Sequence, residues 1–317
     1  MSYSAKVKNE LVHLSDLDER EQVAQLAGIA RMDGSILIGA GKQISLALVS
    51  EHAAVARQAY SWLRQLFHLN ARIEIQRHTK LKKNIRYVVR VPGQGRLKTA
   101  LTTLGMMNED GLLFRSDIAP EFTGGDQVRR AYIRGIFLGS GSLTDPQRSY
   151  HLEIVTQSEE YAEQITDLVA GYGIDFRMSY RKENCVLYLK ESEQISDFLA
   201  LIGAHEAVMD LENVRVAKGV RNRVNRLVNC ETANMNKAID AALRQVEMIE
   251  YIQAQGAFDK LPRALQQVAK LRLLAPEASL KELGEMCDPP IGKSGINHRM
   301  RRLEQFAEKL KAEGDLW

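Results

Sequence analysis

The stretch AQLAGIARMDGSI (24–36), which decides the fold of the first two thirds of the chain, returns in altered form as RRAYIRGIFLGSGSL (129–143). Gly28 corresponds to Gly135 and Gly34 corresponds to Gly141, in both cases at an offset of 107 residues. Because glycine has no side chain, two helix backbones can approach closely at such positions. The repeat therefore predicts a duplicated domain whose two copies pack helix against helix about a pseudo-twofold axis.

Each copy continues with the same series of elements. Alternating apolar and polar residues predict strands at QISLALV (43–49) and HLEIVT (151–156), and an amphipathic helix follows each. Further strands are predicted at ARIEIQRH (71–78), IRYVVRV (85–91), IDFRMSY (174–180) and CVLYL (185–189). The order helix, two strands, helix, two strands, helix occurs twice. It predicts an α+β domain over residues 1–205, with repeats at about 1–110 and 125–205.

The first predicted sheet has one apolar and one polar face. The apolar face, expected in the core, consists of Ile44, Leu46, Leu48, Ile73 and Ile75. The opposite face is only mildly basic and consists of Gln43, Ser45, Arg72, Glu74, Gln76, His78, Arg86 and Arg90. A basic hairpin tip, Lys80–Lys83, could touch phosphate or be merely solvated. This surface could therefore bind DNA, a protein partner or nothing.

The stretch SLKELGEMCDPPIGKSGINHRMRRLEQFAEKL (279–310) predicts two helices joined by a short turn. Ser279 and Glu282 have the spacing of a capping box, in which each side chain hydrogen-bonds a free backbone N–H at a helix start. Asp288-Pro289-Pro290 ends this helix, and Ser294 is predicted to cap the next one. The apolar stripe of the second helix consists of Ile296, Met300, Leu303, Phe306 and Leu310.

The other face of that second helix carries the predicted DNA contacts. They are Lys293, Ser294, Asn297, His298, Arg299, Arg301 and Arg302. In a helix-turn-helix, the first helix braces the second, which enters the major groove with its N-terminal half. Asparagine can pair with adenine, arginine with guanine, and either can hold phosphate. The alternative is an amphipathic helical hairpin with a solvated basic face.

Composition is that of a globular protein, and the basic charge is concentrated toward the C-terminal end. The 317 residues carry a net charge of only +3, with 45% apolar and 26% charged residues. Residues 291–311, however, hold six bases and two acids. The N-terminal residues lack an apolar core of signal-peptide length, and no stretch approaches a membrane span. Cys185, Cys230 and Cys287 form no CxxC pair, which argues against a disulfide framework or structural zinc and fits a reducing cytoplasm.

Between the two predicted domains, residues 206–257 are interpreted as a helical connector, followed by a helix-turn-helix domain at 258–317. Asn229, Thr232, Asn234 and Asn236 predict a polar break in the connector, where Thr232 or Asn234 could cap a new helix. A basic run without acids precedes the break and consists of Arg215, Lys218, Arg221, Arg223 and Arg226. These five side chains are predicted to contact DNA phosphate or the other domain.

The motif LAGIARMDG (26–34) resembles the signature of the LAGLIDADG homing endonucleases, in which two such helices pack along a pseudo-twofold axis. In that family, the acidic residue before the last glycine of each motif binds a divalent metal ion at the foot of the helix pair. The first copy has Asp33 at this position and the second has Ser140. Half of the carboxylate pair is absent, so we expect no metal site, no catalytic residues and no cleavage.

A degenerate domain of this kind, followed by a helix-turn-helix similar to region 4 of bacterial sigma factors, resembles the WhiA family over the whole chain. The segments NRLVNCETANMNK (225–237) and GKSGINHRMRRL (292–303) also carry the resemblance. It implies a bacterial DNA-binding protein involved in cell division and chromosome segregation. In spore-forming filamentous relatives it implies transcriptional control of sporulation, with an iron–sulfur protein of the WhiB type as co-regulator.

The leading hypothesis is a non-enzymatic regulator that binds double-stranded DNA, with cytoplasmic, nucleoid-associated localisation. No cofactor, small-molecule substrate or membrane contact is expected; a WhiB-type or division-related protein is a candidate partner. The first alternative is an endonuclease with residual metal-dependent activity through Asp33. The second is a protein-interaction scaffold with incidental DNA contact. The residues do not distinguish a promoter-specific regulator from a nucleoid-associated division factor, nor do they identify the DNA target, the oligomeric state or the partner of the first domain.

Overall fold

The structure, a computed structural model, describes residues 2–39, 43–77, 85–108 and 114–314, without the side chains of residues 313 and 314. The chain divides into two compact units, Met1–Lys218 and Gly219–Trp317. His78 and the predicted basic hairpin tip, Lys80–Lys83, lie outside the described residues.

The first unit starts with α1 (Tyr3–Val12) and then passes twice through one order of elements. The first repeat consists of α2 (Glu19–Asp33), β1 (Gly34–Ile38), β2 (Ile44–Ser50), α3 (Ala53–Gln65), β3 (Arg72–Arg77), β4 (Ile85–Val91) and α4 (Gly95–Thr103). The second repeat consists of α5 (Asp126–Ser140), β5 (Gly141–Leu143), β6 (Leu152–Thr156), α6 (Glu159–Ala170), β7 (Arg177–Arg181), β8 (Asn184–Leu189) and α7 (Ser192–Ile202). The predicted α+β fold, with its duplicated αββαββα order, is confirmed.

Each repeat forms a four-stranded antiparallel sheet, with equivalent strand orders β1-β2-β4-β3 and β5-β6-β8-β7. Leu46 and Leu48 are buried as predicted. The prediction for Ile75 is wrong, because this side chain is 60% exposed. Ile75 belongs to the edge strand β3, which has a neighbouring strand on one side only. The apolar residues of β3 keep alternating along this edge, where the core no longer covers their side chains.

The helices α2 and α5 cross at the two aligned glycines. A methyl group on Gly28 would lie 2.4 Å from the carbonyl oxygen of Tyr132, and one on Gly135 would lie 2.1 Å from that of Gln25. Carbon and oxygen atoms do not approach so closely without a shift of the backbone. The predicted packing of the two repeats through small residues is therefore confirmed.

A polar chain runs through this otherwise apolar core. Arg134, which is buried, donates to the carbonyl of Ile202 at 2.6 Å and to the side-chain oxygen of Gln25 at 3.0 Å. Gln25 in turn donates to Gln58 at 2.9 Å, and Gln58 donates to the carbonyl of Val12 at 3.0 Å. Because each buried polar group finds a partner, the cost of removing it from water is largely offset.

A single helix, α8 (His205–Ala254), begins in the first unit and ends in the second. The predicted break at Asn229–Asn236 does not occur, so neither Thr232 nor Asn234 caps a helix there. Asparagine and threonine lower helix propensity by only about 0.5 kcal/mol each, which a continuous helix tolerates at exposed positions. The helix ends just before Gly256, whose φ of +64° turns the chain.

The remainder of the second unit consists of α9 (Arg263–Leu274), α10 (Leu280–Glu285) and α11 (Lys293–Gly314). The capping box of Ser279 and Glu282 is confirmed, with both reciprocal hydrogen bonds present. The prediction that Ser294 caps the last helix is wrong. That helix already begins at Lys293, and the amide of Ile296 donates to the carbonyl of Gly292, so Ser294 lies within the first turn.

Candidate nucleic-acid interface and the altered metal position

The core of the second unit fixes the position of α11. Ile296, Met300 and Leu303 on its apolar stripe are buried, and Phe306 and Leu310 are partly buried. The same cluster contains residues of α9, α10 and the last turns of α8, namely Leu265, Val268, Leu283, Ile249 and Ile252. The predicted stripe is confirmed, and the basic face of the helix is therefore turned away from this core.

The turn between α10 and α11 depends on one close backbone approach. The amide of Ile291 donates to the carbonyl of Gly284 at 2.9 Å, and a methyl group on Gly284 would lie 2.1 Å from the carbonyl oxygen of Ile291. A second hydrogen bond, from the Gln267 side chain to the carbonyl of Asp288 at 3.1 Å, ties the turn to α9. The angle at which α11 leaves the turn is set by these contacts.

Six of the seven predicted DNA-contacting residues are exposed on α11. They are Lys293, Ser294, Asn297, His298, Arg301 and Arg302, whereas Arg299 is half-buried. Ser294, His298, Arg301 and Arg302 lie on the side opposite the buried stripe, as helical spacing requires. The structure therefore brings six of the seven predicted residues together on the exposed surface of one helix.

The start of α11 also favours an anion. The free N–H groups in the first turn of a helix and the positive end of its dipole attract negative charge. This helix has 22 residues, and Lys293 stands at its first position. Backbone donors and basic side chains converge on the same end, which suits a phosphate of the DNA backbone.

A cleft of about 540 Å³ lies between one flank of α11 and the last turns of α8. Asn297 and Arg301 line one wall, and Arg244 and Gln245 line the other. The Oε1 atom of Gln245 is enclosed and has no hydrogen-bond partner among the described residues. Sequence reasoning missed Arg244 and Gln245, because nothing in the local pattern of α8 distinguishes them from other solvated side chains.

The five bases of the connector fall into two groups. Arg215 pairs with Glu212 at 2.7 Å. Lys218 donates to the carbonyl of Pro146 at 2.7 Å and lies 4.4 Å from the centre of the Tyr150 ring. Arg221, Arg223 and Arg226 are exposed on α8. The last three are therefore better placed for phosphate than the first two, which already have partners within the first unit.

Among the described residues, several bases on the outer face of the two sheets are paired with acids. Arg90 lies 2.7 Å from Glu74 in the first repeat. In the second, Glu153 accepts from Arg181 at 3.1 Å and from His151 at 2.6 Å. Burial alone would raise the pKa of Glu153. The two hydrogen bonds and the charges of their donors together outweigh burial, so the pKa of Glu153 is lowered. Arg90 and Arg181 are therefore less available to a polyanion than unpaired bases would be.

The altered metal position lies where α2 and α5 end. Asp33 is the last residue of α2 and Ser140 the last residue of α5, as the alignment predicts. One oxygen of each side chain, Oδ2 of Asp33 and Oγ of Ser140, is enclosed without a hydrogen-bond partner among the described residues. Burial raises the pKa of Asp33, while the charge of Lys8 and a hydrogen bond from Ser50 act in the opposite direction.

Lys8 of α1 supplies a buried positive charge beside this position. Its ammonium group donates to the carbonyl of Gly139 at 3.5 Å and lies 5.8 Å from the centre of the Phe137 ring. Burial lowers the pKa of Lys8, and the charge of Asp33 partly restores it. A divalent cation needs several oxygen ligands, preferably anionic. One carboxylate, one hydroxyl and a nearby ammonium do not fit such an ion, so we assign no chemistry to a metal here.

The described residues hold no group of three or more His, Cys, Asp or Glu side chains with the geometry of a metal site. Among the described helices, none is both long enough and apolar enough to cross a membrane.

Comparison with known proteins gives matches over almost the whole chain. Three family models match: the WhiA N-terminal LAGLIDADG-like domain over residues 19–107, the WhiA LAGLIDADG-like domain over 129–221, and the WhiA C-terminal HTH domain over 224–307. A protein of Clostridium acetobutylicum named "Probable cell division protein WhiA" is 43% identical over 316 residues, 99% of this chain and 100% of that protein. The protein of the same name from Clostridium tetani is 41% identical, with the same coverage.

A solved structure also matches in fold. The crystal structure of full-length DUF199/WhiA from Thermatoga maritima superposes with a TM-score of 0.58 at 23% identity, and the match covers 98% of this chain and 99% of that one. The likeness in fold therefore extends over almost the whole of both chains.

Proposed function

We propose, because this chain belongs to the WhiA family, that it is a DNA-binding protein of bacterial cell division and not an enzyme. The C-terminal helix-turn-helix docks α11 on duplex DNA. The first domain keeps the endonuclease-like scaffold without its chemistry. The division role rests on the name of the curated relatives, and DNA binding rests on the geometry of the second unit.

The observation that carries DNA binding is the grouping of exposed residues on α11. Asn297 and His298 present hydrogen-bonding groups, and Arg301 and Arg302 present positive charge, all on the half of the helix that begins at the turn. Side chains of these types read base edges or hold phosphate. Arg221, Arg223 and Arg226 on α8 add further candidate phosphate contacts.

The loss of nuclease chemistry is inferred from the residues at the foot of α2 and α5. Two carboxylates are needed to hold the ions that activate water and stabilise the leaving oxygen. Ser140 cannot supply the second carboxylate, and Lys8 places a like charge near any incoming cation.

The finer biological role is an extension of this proposal. A protein that binds DNA through α11 and whose first domain does not catalyse a reaction is suited to regulate transcription or to organise the nucleoid. Either activity would affect cell division and chromosome segregation. The first domain would then serve as the surface for a protein partner, and a WhiB-type regulator is the candidate named by family resemblance. Such a protein acts in the cytoplasm, at the nucleoid.

The salt dependence of DNA binding tests the proposal. In the full chain, Arg301→Ala with Arg302→Ala should weaken binding to a fluorescent duplex of random sequence. The slope of log affinity against log salt should become shallower by about 0.9 for each lost phosphate contact. The matched control is Lys309→Ala, an exposed base in the C-terminal half of the same helix. The variant Asp33→Asn should also bind normally, since it lies in the other unit.

Circular dichroism would verify that the double variant is folded. If its affinity at moderate salt equals that of the unmodified protein, α11 is not the DNA-binding element. If Lys309→Ala weakens binding equally, the effect is one of general charge and the proposed docking is wrong.

A further inference from the structure

An apolar stripe on the middle of α8 has no partner within the second unit. Every residue from Gly219 to Asp240 is exposed. Seven large apolar residues on this segment and the following turn expose about half or more of their surface. Leu227, at 60%, lies to one side. The other six, at 49% to 59%, form the stripe: Val220, Val224, Val228, Met235, Ile239 and Leu243. Most of the stability of a helix in water comes from packing its apolar face. A stripe that spans 24 residues, or about 35 Å, is therefore expected to be covered.

The spacing of the stripe identifies what could cover it. Within the second unit, successive members are separated by 4, 4, 7, 4 and 4 residues, so the pattern there is the same in both directions. Val216, which is exposed four residues before Val220, belongs to the first unit. Its midpoint falls between Glu231 and Thr232. A twofold-symmetric interface must be complementary to itself, which such a pattern satisfies when two identical helices run antiparallel.

We propose that α8 pairs with α8 of a second copy of this chain, antiparallel, about a twofold axis beside Glu231 and Thr232. In this register Val220 faces Leu243 of the second copy, Val224 faces its Ile239, and Val228 faces its Met235. Each contact occurs twice by symmetry. The apolar stripe is then covered over its whole length by an identical stripe.

Charge favours the same orientation. Arg221 follows Val220 by one position and Asp240 follows Ile239 by one, so both lie on the same flank of the stripe. In the antiparallel register, Arg221 and Asp240 of the second copy differ by two positions, about 3 Å along the axis. A parallel pairing would instead separate Arg221 from Asp240 of the second copy by 19 positions, about 28 Å along the axis, so this contact would be lost. Flanking charges of this kind set helix orientation. Near the axis, Glu231 lies close to Glu231 of the second copy, and the repulsion between these two carboxylates opposes pairing.

Sedimentation velocity of the full chain over a wide concentration range, without DNA, tests the association. We expect a monomer–dimer equilibrium that Val228→Asp with Met235→Asp abolishes and that Glu231→Gln tightens. The control, Asn229→Asp, adds a charge next to Val228 but off the stripe. A monomer at every concentration would overturn the proposal, as would an equal loss of dimer in the control.

Disulfide trapping tests the register. In a Cys230→Ser background, a mixture of Val228→Cys and Met235→Cys chains should form a mixed disulfide, because facing Cα atoms lie within the roughly 7 Å limit of such bonds. Val228→Cys alone should not link, since its copies lie seven positions apart, about 10 Å along the axis. Efficient linking of Val228→Cys alone would indicate a parallel pairing and reject the proposed one.

Reversal of charge tests the ion pairs independently. Arg221→Asp alone and Asp240→Arg alone should each weaken the dimer on the order of tenfold, from two exposed pairs per dimer, and the double variant should restore it. Failure of the double variant to recover would reject the contact between Arg221 and Asp240. If the trapped disulfide also failed to form, the stripe would belong to a different protein partner.

Discussion

Asp33 and Ser140 occupy matching ends of the paired helices α2 and α5. One side-chain oxygen of each residue is buried and has no hydrogen-bond partner among the described residues. The two helices pair as the LAGLIDADG-like resemblance predicts, and the matching end positions carry one carboxylate and one hydroxyl. An enclosed carboxylate beside a hydroxyl and a buried ammonium is a different electrostatic site from a pair of carboxylates. If Asp33 has only a structural role, its substitution should change the stability of the protein. If Asp33 is catalytic, its substitution should abolish DNA cleavage.

The first prediction concerns cleavage. Supercoiled plasmid incubated with the protein and Mg²⁺ or Mn²⁺ should remain intact on a gel, because the second carboxylate is missing. Ser140→Asp should raise the affinity for Mn²⁺ in a calorimetric titration, although Lys8 still opposes a cation there. Nicked or linear plasmid that appears with the unmodified protein and disappears with Asp33→Asn would make the protein an enzyme.

The second prediction concerns pH. Burial raises the pKa of Asp33 to about 7 from an ordinary 3.8. Between these values the folded protein holds a proton that the unfolded chain has lost, so this group makes the free energy of unfolding fall as pH rises from about 4 to 7. Asparagine cannot ionise. The melting temperature of Asp33→Asn relative to the unmodified protein should therefore increase across that window.

Asp16→Asn, which removes an exposed carboxylate from a loop, is the control for the pH series. Its melting temperature relative to the unmodified protein should change much less with pH. A constant difference for Asp33→Asn across the window would mean that Asp33 titrates in the folded protein as it does in the unfolded chain.

The third prediction concerns the crossing of α2 and α5. Gly28→Ala or Gly135→Ala places a methyl group within 2.4 Å or 2.1 Å of a backbone carbonyl oxygen, so the helices must separate. Overpacking of this kind lowers the free energy of unfolding by about 3 kcal/mol. Gly95→Ala, at the open start of α4, should change it by less than about 1 kcal/mol. Urea unfolding of the three variants measures the contrast, and equal effects would show that the crossing has room.

Sequence reasoning succeeded where the determining residues lie close together or repeat. The duplicated domain could be predicted because Gly28 and Gly135 belong to two copies of one pattern, and the capping box because Ser279 and Glu282 are three residues apart. It failed where a small difference in free energy decides where a helix begins or ends. Ser294 was a plausible cap, but the helix starts at Lys293. The polar run Asn229–Asn236 weakens a helix too little to break it.

Sequence reasoning could not find the residues that long-range packing brings together. Lys8 precedes Asp33 by 25 residues, and nothing in its surroundings marks a lysine that will be buried. Arg134 lies in an apolar helix, where its hydrogen bonds to Gln25 and Ile202 depend on the arrangement of three elements. Such contacts have no sequence period, so only the assembled structure reveals them.

The last prediction concerns the turn that orients α11. Gly284→Ala would force a methyl group to within 2.1 Å of the carbonyl oxygen of Ile291, whose amide hydrogen-bonds the carbonyl of Gly284. The turn must open, which should destabilise the second unit by about 1–3 kcal/mol and tilt α11. The control is Gly292→Ala, in open space on the far side of the same turn. It should leave stability nearly unchanged.

Two readouts separate the loss of stability from the loss of orientation in this variant. At a temperature where circular dichroism shows Gly284→Ala to be folded, its affinity for duplex DNA should still be reduced, because Arg301 and Arg302 no longer reach the backbone in register. Equal affinity in the folded variant would mean that the turn contributes stability alone. Equal loss in Gly292→Ala would mean that any change in the turn disturbs binding and that the close approach of Gly284 and Ile291 has no special role.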